Sequence, residues 1–301
     1  MIDSKDISVV VQGPILHQDE RTKRVLESVR THLPEAELIL STWKGSDVSG
    51  LECDVLLLND DPGAINGNNN VNRQIVSTRN GLQKATRHYA MKLRTDTLLT
   101  GTGFLDAFDR YPERRDDFKV FEHKIVIPTL YTRNPLRVTP YSGVSYFFHP
   151  SDIFQFGLSV DLLLLWDIPL ASTNSKSVPE QYIWLACLRK FYQDIDYFSL
   201  TLREQLKLTE ILLINNFHVE KIESLEIILP PRLMANSPYT CYTYRELSKL
   251  RMKYIVNRSN SISLFALIFL YFGSLLSLLS HFKLNLGLRG FFDKLYMKSS
   301  T

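Results

Sequence analysis

Short apolar runs alternate with stretches of helical spacing along the first hundred residues. Ile7–Pro14, ISVVVQGP, is a β-branched run closed by Gly-Pro, which predicts a buried strand that stops abruptly. Glu20–Leu33 carries Val25, Leu26, Val29 and Leu33 at helical spacing and ends at Pro34. Ala36–Trp43 and Cys53–Asp61 read as two more strands, the second stopped by Pro62-Gly63. Asn66–Ala90 opens as a loop and becomes a helix with Ile75, Val76, Leu82 and Ala85 on one face, and Tyr89–Asp96 follows as the fourth strand. Strands alternating with helices predict a mostly parallel, doubly wound α/β sheet, whose ligands sit outside the carboxyl ends of the strands.

Beyond this region Phe104–Arg115 predicts a helix and Phe118–Thr132 an alternating sheet strand. Ser145–Gly157 is aromatic-rich and broken by Pro150, and Pro179–Asp194 has proline at a helix start and an apolar face. Trp43 and Trp166 are assigned to the core, and residues 195–260 read as a mixed α/β region. The pattern changes after Ser259. Ser259–Phe282 runs 24 residues without Asp, Glu, Lys or Arg, roughly 36 Å as a helix against a bilayer core of about 30 Å. Leu284–Lys298 is basic and amphipathic, as a helix lying in an interface would be. The expected organisation is therefore one main domain over 1–258 and a membrane-associating extension over 259–301.

Composition narrows the class. Of 301 residues 45% are apolar and 22% charged, which excludes a disordered or collagen-like chain. The net charge of +3 makes no case for nucleic acid, but its distribution matters: the chain from Arg245 onward is basic and the part before it acidic. That arrangement suits a membrane surface. The three cysteines, Cys53, Cys187 and Cys241, form no CxxC pair, which fits a reducing compartment. The N-terminal residues show no secretory signal, so the chain is expected in the cytosol, on the cytoplasmic face of a bacterial inner membrane.

The candidate chemistry begins at KLRTDTLL, Lys92–Leu99, where an arginine and an aspartate end an otherwise apolar strand. A carboxylate there, after a loop rich in Asn, Arg and Gln, suits a polyanionic ligand. Asp96 can hold a divalent cation and the arginines can contact phosphates. The plain alternative is a turn-capping Asp96 and a surface ion pair at Arg94.

The segment STRNGLQKATRHYAMKLRTDTLL resembles that of GT-A glycosyltransferases, in which an Arg-Asn-x-Gly-Leu-type helix leads through a strand into an Asp-x-Asp motif. Arg94 stands where the first Asp would be, leaving Asp96. A closer resemblance is to the WavE-type lipopolysaccharide synthesis family, carried by Val9–Ile15, Asn69–Leu82, Lys92–Thr97, His149–Gly157 and Pro179–Trp184 in that order.

The resemblance implies transfer of a sugar from a nucleotide-sugar donor to a lipopolysaccharide-core, capsule or other lipid-linked glycan. It implies Asp96 as ligand of Mn2+ or Mg2+, with a metal-independent route left open by Arg94. Gln12, Asp60, Asp61, Asn72, Arg73, Gln74, Arg79 and Arg94 are then the nucleotide-sugar-binding candidates. His149 and Ser151 are candidates for the acceptor. An inverting transfer needs a general base; Glu180, just inside the Pro179 helix start, is the first choice and Asp152 the second. Simple stabilisation of the helix N-terminus is the other reading of Glu180. A sugar-nucleotide nucleotidyltransferase and a non-catalytic membrane-associated scaffold with a degenerate transferase fold stand as alternatives.

Overall fold

A computed structural model describes residues 2–65, 69–137, 146–175, 177–193, 195–197, 199–234, 240–259, 261–263, 266, 268 and 271. The elements follow in the order β1 (Ile7–Gln12), α1 (Arg21–His32), β2 (Glu37–Trp43), β3 (Val55–Asn59), α2 (Val71–Leu82), β4 (Tyr89–Arg94), β5 (Leu98–Leu99) and α3 (Gly103–Phe108). After them come β6 (Ile125–Pro128), β7 (Gln155–Leu158), α4 (Ser159–Trp166), α5 (Pro179–Leu188), α6 (Leu202–Asn216) and β8 (Phe217–Glu220). The last described elements are α7 (Ile222–Leu225), β9 (Ile227–Ile228), α8 (Pro231–Met234) and α9 (Tyr244–Arg251), continued by a π-helical turn over Met252–Val256.

Seven strands form one sheet in the order β3-β2-β1-β4-β7-β6-β8, and β5 pairs with β9 in a separate two-stranded clasp. The first four strands are mutually parallel, β7 runs against both its neighbours, and β6 and β8 are parallel. The expected mostly parallel α/β sheet is thus the one observed. Alternate side chains of each inner strand feed two cores. Val10, Ile39, Ile125 and Ile127 join the core under α2, α4, α5 and α6. Val9, Val11, Leu38, Leu40 and Val126 join the one under α1 and α3. Burial on both faces is why ISVVVQ reads as a continuous apolar run.

Three expectations change. The strand expected over Phe118–Thr132 shrinks to Ile125–Pro128, because 115–123 is held as irregular chain by buried polar side chains. Asn215 accepts from the Arg115 N–H and Asn216 from that of Val120; Asp161 accepts from the N–H groups of Glu122 and His123. The helix expected over Phe104–Arg115 ends at Phe108, and Tyr111, at φ 61° before Pro112, cannot continue it. Trp166 is buried as expected, whereas Trp43, at the end of β2, is only partly covered. The extension over 259–301 lies almost wholly outside the described residues, and among the described residues no helix is long and apolar enough to cross a membrane.

Two glycines are required by geometry. Gly13 closes β1 at φ 125°, a conformation that side-chain-bearing residues rarely adopt. Gly81 lies where α2 crosses β1 so closely that a Cβ would stand 2.3 Å from Val10 Cγ1. Gly81→Ala should therefore lower unfolding free energy by about 1–3 kcal/mol without changing secondary structure, measured by urea denaturation followed by circular dichroism.

Candidate active site at the switch point of the sheet

β1 and β4 lie side by side, and the chain leaves them toward opposite edges of the sheet, from β1 to β2 and from β4 toward β6, the kind of switch point beyond whose carboxyl ends ligands bind in such sheets. Gln12 and Arg94 are register partners there. The chain beyond is laced shut: the Thr95 N–H donates to the Gln12 carbonyl at 3.1 Å, the Thr95 hydroxyl to the Pro14 carbonyl at 2.7 Å, and the Thr22 hydroxyl to the Thr95 carbonyl.

Asp96 is buried at this point and both its carboxylate oxygens are engaged by guanidinium groups. Arg94 Nε donates to Oδ1 at 2.9 Å and Arg94 Nη2 to Oδ2 at 3.1 Å. Arg232 Nη2, arriving from α8, also donates to Oδ2. Burial alone would raise the Asp96 carboxyl, but the hydrogen bonds and charge of Arg94, then those of Arg232, outweigh it and hold it below the ordinary range.

Beneath this rim is a buried cluster of ionisable groups. Lys92 lies inside β4, fully enclosed, its Nζ donating to the Asp152 carbonyl and standing 5.1 Å from the Trp166 ring centre. Trp166 is itself fixed by its indole N–H donating to Gln155 Oε1 at 2.6 Å, and Gln155 is the cross-strand partner of Lys92. Burial pulls the Lys92 ammonium down to about 8, opposed by Asp152.

Burial raises the Asp152 carboxyl, Glu180 raises it further, and Lys92 and Arg94 pull it back in part. Its Oδ2 has no hydrogen-bond partner among the described residues. Burial likewise raises Glu180, against its own backbone N–H and the charges of Arg133, Lys92 and Arg94. The shared influence of Lys92 and Arg94 on both carboxyls shows that the two candidate bases and the Arg94 end of β4 form one electrostatic unit.

His149 completes the cluster. Its Nδ1–H donates to the Tyr131 carbonyl at 2.9 Å, which fixes the tautomer and leaves Nε2 3.6 Å from Glu180 Oε2. Burial, then the charge of Arg133, pulls the imidazole down to about 4, so it is neutral near pH 7. The flanking backbone is strained: Tyr131 and Phe148 occupy left-handed conformations at φ 65° and 52°. The approach to α2 is tied to the approach to α5, since Asn69 Nδ2 donates to the Ser177 carbonyl at 3.2 Å.

The other expected residues divide. Asp61 and Arg73 make a two-fold ion pair, Nε to Oδ1 and Nη2 to Oδ2, both at 2.7 Å, on the exposed rim beyond β3, and Lys44 reaches Asp60 beside them at 2.8 Å. Gln12 is buried and accepts from the Ser77 hydroxyl, while Gln74 has a buried Oε1 without a partner among the described residues.

Asn72 and Arg79 serve the scaffold. Asn72 exchanges two hydrogen bonds with the backbone of Ala171, and Arg79 donates to the Ile168 carbonyl, together pinning 167–171 to α2. His149 and Ser151, the candidates for the acceptor, are both buried. The aromatic lead-in turns inward at Pro150, carrying Ser151 against Thr132 instead of toward solvent.

Two site residues escaped the sequence reading. Lys92 had a signal, a cation within an apolar strand. Arg232 had none, being 136 positions from its partner.

The residues present do not fit a divalent cation. Asp96 is the one carboxylate left in the motif, its oxygens face two guanidinium groups, and no group of three or more His, Cys, Asp or Glu side chains converges among the described residues.

The family model described as WavE lipopolysaccharide synthesis matches residues 7–278. No curated protein matches the chain. Among solved structures it is similar to S. aureus TarS at 12% identity and TM-score 0.36, over 86% of this chain and 46% of that one, so it spans about half of TarS. The shorter TarS fragment in complex with UDP gives the same identity and TM-score over 86% and 76%. The mannosyltransferase PcManGT from Pyrobaculum calidifontis, in complex with GDP-Man and Mn2+, gives 12% and 0.36 over 92% and 83%. Likeness at this distance carries no argument about chemistry.

The His149 imidazole binds its proton near pH 4 in the folded chain and near 6.5 when unfolded. Between these values the unfolded state holds more protons, so the contribution of His149 is complete above 6.5 and lost as pH falls toward 4. On lowering the pH from 7 to 4, the parent chain should lose up to about 3 kcal/mol more stability than His149→Gln, read from urea denaturation at the two values.

Proposed function

We propose that this chain, which belongs to the WavE lipopolysaccharide synthesis family, transfers a sugar from a nucleotide-sugar donor to a lipid-linked or lipopolysaccharide glycan. The observation that carries this reading is the pairing, at one strand end, of a cationic rim with two protonatable carboxyls just beneath it. The rim suits a diphosphate leaving group. The carboxyls suit removal of a proton from an acceptor hydroxyl.

Glu180 takes the base role. Its side chain keeps 13% exposure, whereas Asp152 is almost completely enclosed and unable to touch a sugar. As the acceptor oxygen bonds to the anomeric carbon and the carbon–phosphate-oxygen bond breaks, the hydroxyl proton passes to Glu180 and the nucleoside diphosphate leaves with the bonding electrons. Burial, opposed by its own backbone N–H and by Arg133, Lys92 and Arg94, sets the carboxyl's proton affinity, and His149 Nε2 stands 3.6 Å from it. The Asp61–Arg73 and Asp60–Lys44 pairs beyond β3 are placed to receive the donor's base and ribose. A lipid-borne acceptor would account for the uncharged stretch Ser259–Phe282, which supports a site of action at the cytoplasmic face of the inner membrane.

The donor is to be found by a thermal-shift screen of UDP-, GDP-, dTDP- and CMP-sugars on the full chain, followed by a transfer assay with the donor that binds. Glu180→Gln should then reduce transfer at least about a thousandfold while donor affinity stays within twofold of the parent, about the scatter of such measurements. Full activity in that variant would remove Glu180 from the mechanism.

A further inference from the structure

We propose that Arg94 and Arg232, oriented by Asp96 between them, form a two-guanidinium clamp for the donor diphosphate and supply the positive charge there in place of a divalent cation. This rests on the nucleotide-sugar reading and goes beyond it by assigning the anion site and a residue, Arg232, that the strand-end motif does not contain.

The clasp between β5 and β9 delivers Arg232 to its position. β5 starts two residues after Asp96, and Leu98 and Leu99 pair with Ile228 and Ile227. The Thr100 N–H donates to the Glu226 carbonyl at 2.8 Å, and the Gly103 N–H to the Glu226 carboxylate at 2.8 Å. A Cβ on Gly103 would run into the backbone carbonyl of Ser224, so the two segments approach closely there. From Ile228 the chain runs through Pro230-Pro231, whose φ angles are fixed, straight to Arg232. α8 is further tied by the Tyr131 hydroxyl donating to the Leu233 carbonyl at 3.4 Å.

The charge balance then defines the ligand. Two guanidinium groups share one carboxylate, which leaves a net positive charge at the rim. A divalent cation brought to the same carboxylate would meet both arginines, whereas a phosphate oxygen would be attracted by them. Arg94 is largely buried and uses Nε and Nη2 on Asp96. Arg232 is 62% exposed and reaches Asp96 through Nη2, so much of its guanidinium is open to solvent. An arginine fork matches two phosphate oxygens. Asp96 becomes a positioning residue that holds the two forks apart at a fixed spacing.

Isothermal titration of the full chain with UDP, GDP and inorganic pyrophosphate, in EDTA and again with manganese, tests this. Expected are binding of pyrophosphate and at least one nucleotide in EDTA, a loss of about ten- to hundredfold for each in Arg232→Ala, and partial recovery in Arg232→Lys, with the circular dichroism spectrum unchanged because Asp96 keeps its two hydrogen bonds from Arg94. Binding that appears only with manganese, or that survives in Arg232→Ala, overturns the clamp and leaves the nucleotide-sugar reading standing. Failure of every ligand with and without manganese overturns the clamp, and failure of the UDP-, GDP-, dTDP- and CMP-sugars as well overturns the nucleotide-sugar reading.

Discussion

A lysine inside a doubly covered strand is the constraint around which the site is built. Lys92 cannot reach water, so its ammonium must be met within the protein, and the groups that meet it are the Asp152 carbonyl and the face of Trp166. Holding that carbonyl in place fixes the 149–155 segment against β4. The same segment carries the Asp152 carboxyl and the His149 ring, and His149 looks onto Glu180 at the start of α5. One buried cation therefore draws together a helix start, a strand end and an irregular loop that are distant in sequence. The two strained residues beside them, Tyr131 and Phe148, mark where the backbone yields to that requirement.

The charges are arranged in two tiers. In the upper tier Arg94 and Arg232 both pair with Asp96, and this pairing outweighs the burial that would otherwise raise the Asp96 carboxyl. In the lower tier, desolvation works on both signs and pushes the proton affinities of Lys92, Asp152, Glu180 and His149 toward one another. A rim of paired charges thus stands above groups whose proton affinities burial has shifted.

How much of this was legible in the sequence depended on the range of each interaction. β1, β2 and β4 were readable because burial on both faces writes a continuous apolar run, and β3 because its apolar run is unbroken although Leu56 and Leu58 are exposed at the sheet edge; Gly13 and Pro62 punctuate them. β6 and β7, four residues each, were not separable from their aromatic surroundings. At the site, Asp96 and Glu180 stood out as acids at a strand end and a helix start. Asn72 and Arg79 showed the right chemistry for a ligand, yet Asn72 bonds the backbone of Ala171 and Arg79 donates to the Ile168 carbonyl, partners that leave no trace in side-chain identity. The burial of Ser151 was not legible for a related reason, since whether a loop turns inward at a proline depends on the packing it meets.

The β5–β9 clasp also has a consequence for biosynthesis. A chain emerging from the ribosome can pair β1, β2, β3 and β4 once residue 94 is out, but residues 227–232 follow more than 130 positions later. Until they arrive, Asp96 has Arg94 and nothing from α8. The rim is therefore assembled last, and a truncated chain that has already acquired a native-looking sheet still lacks it. Completion of the anion site doubles as a check that nearly the whole described chain has been made.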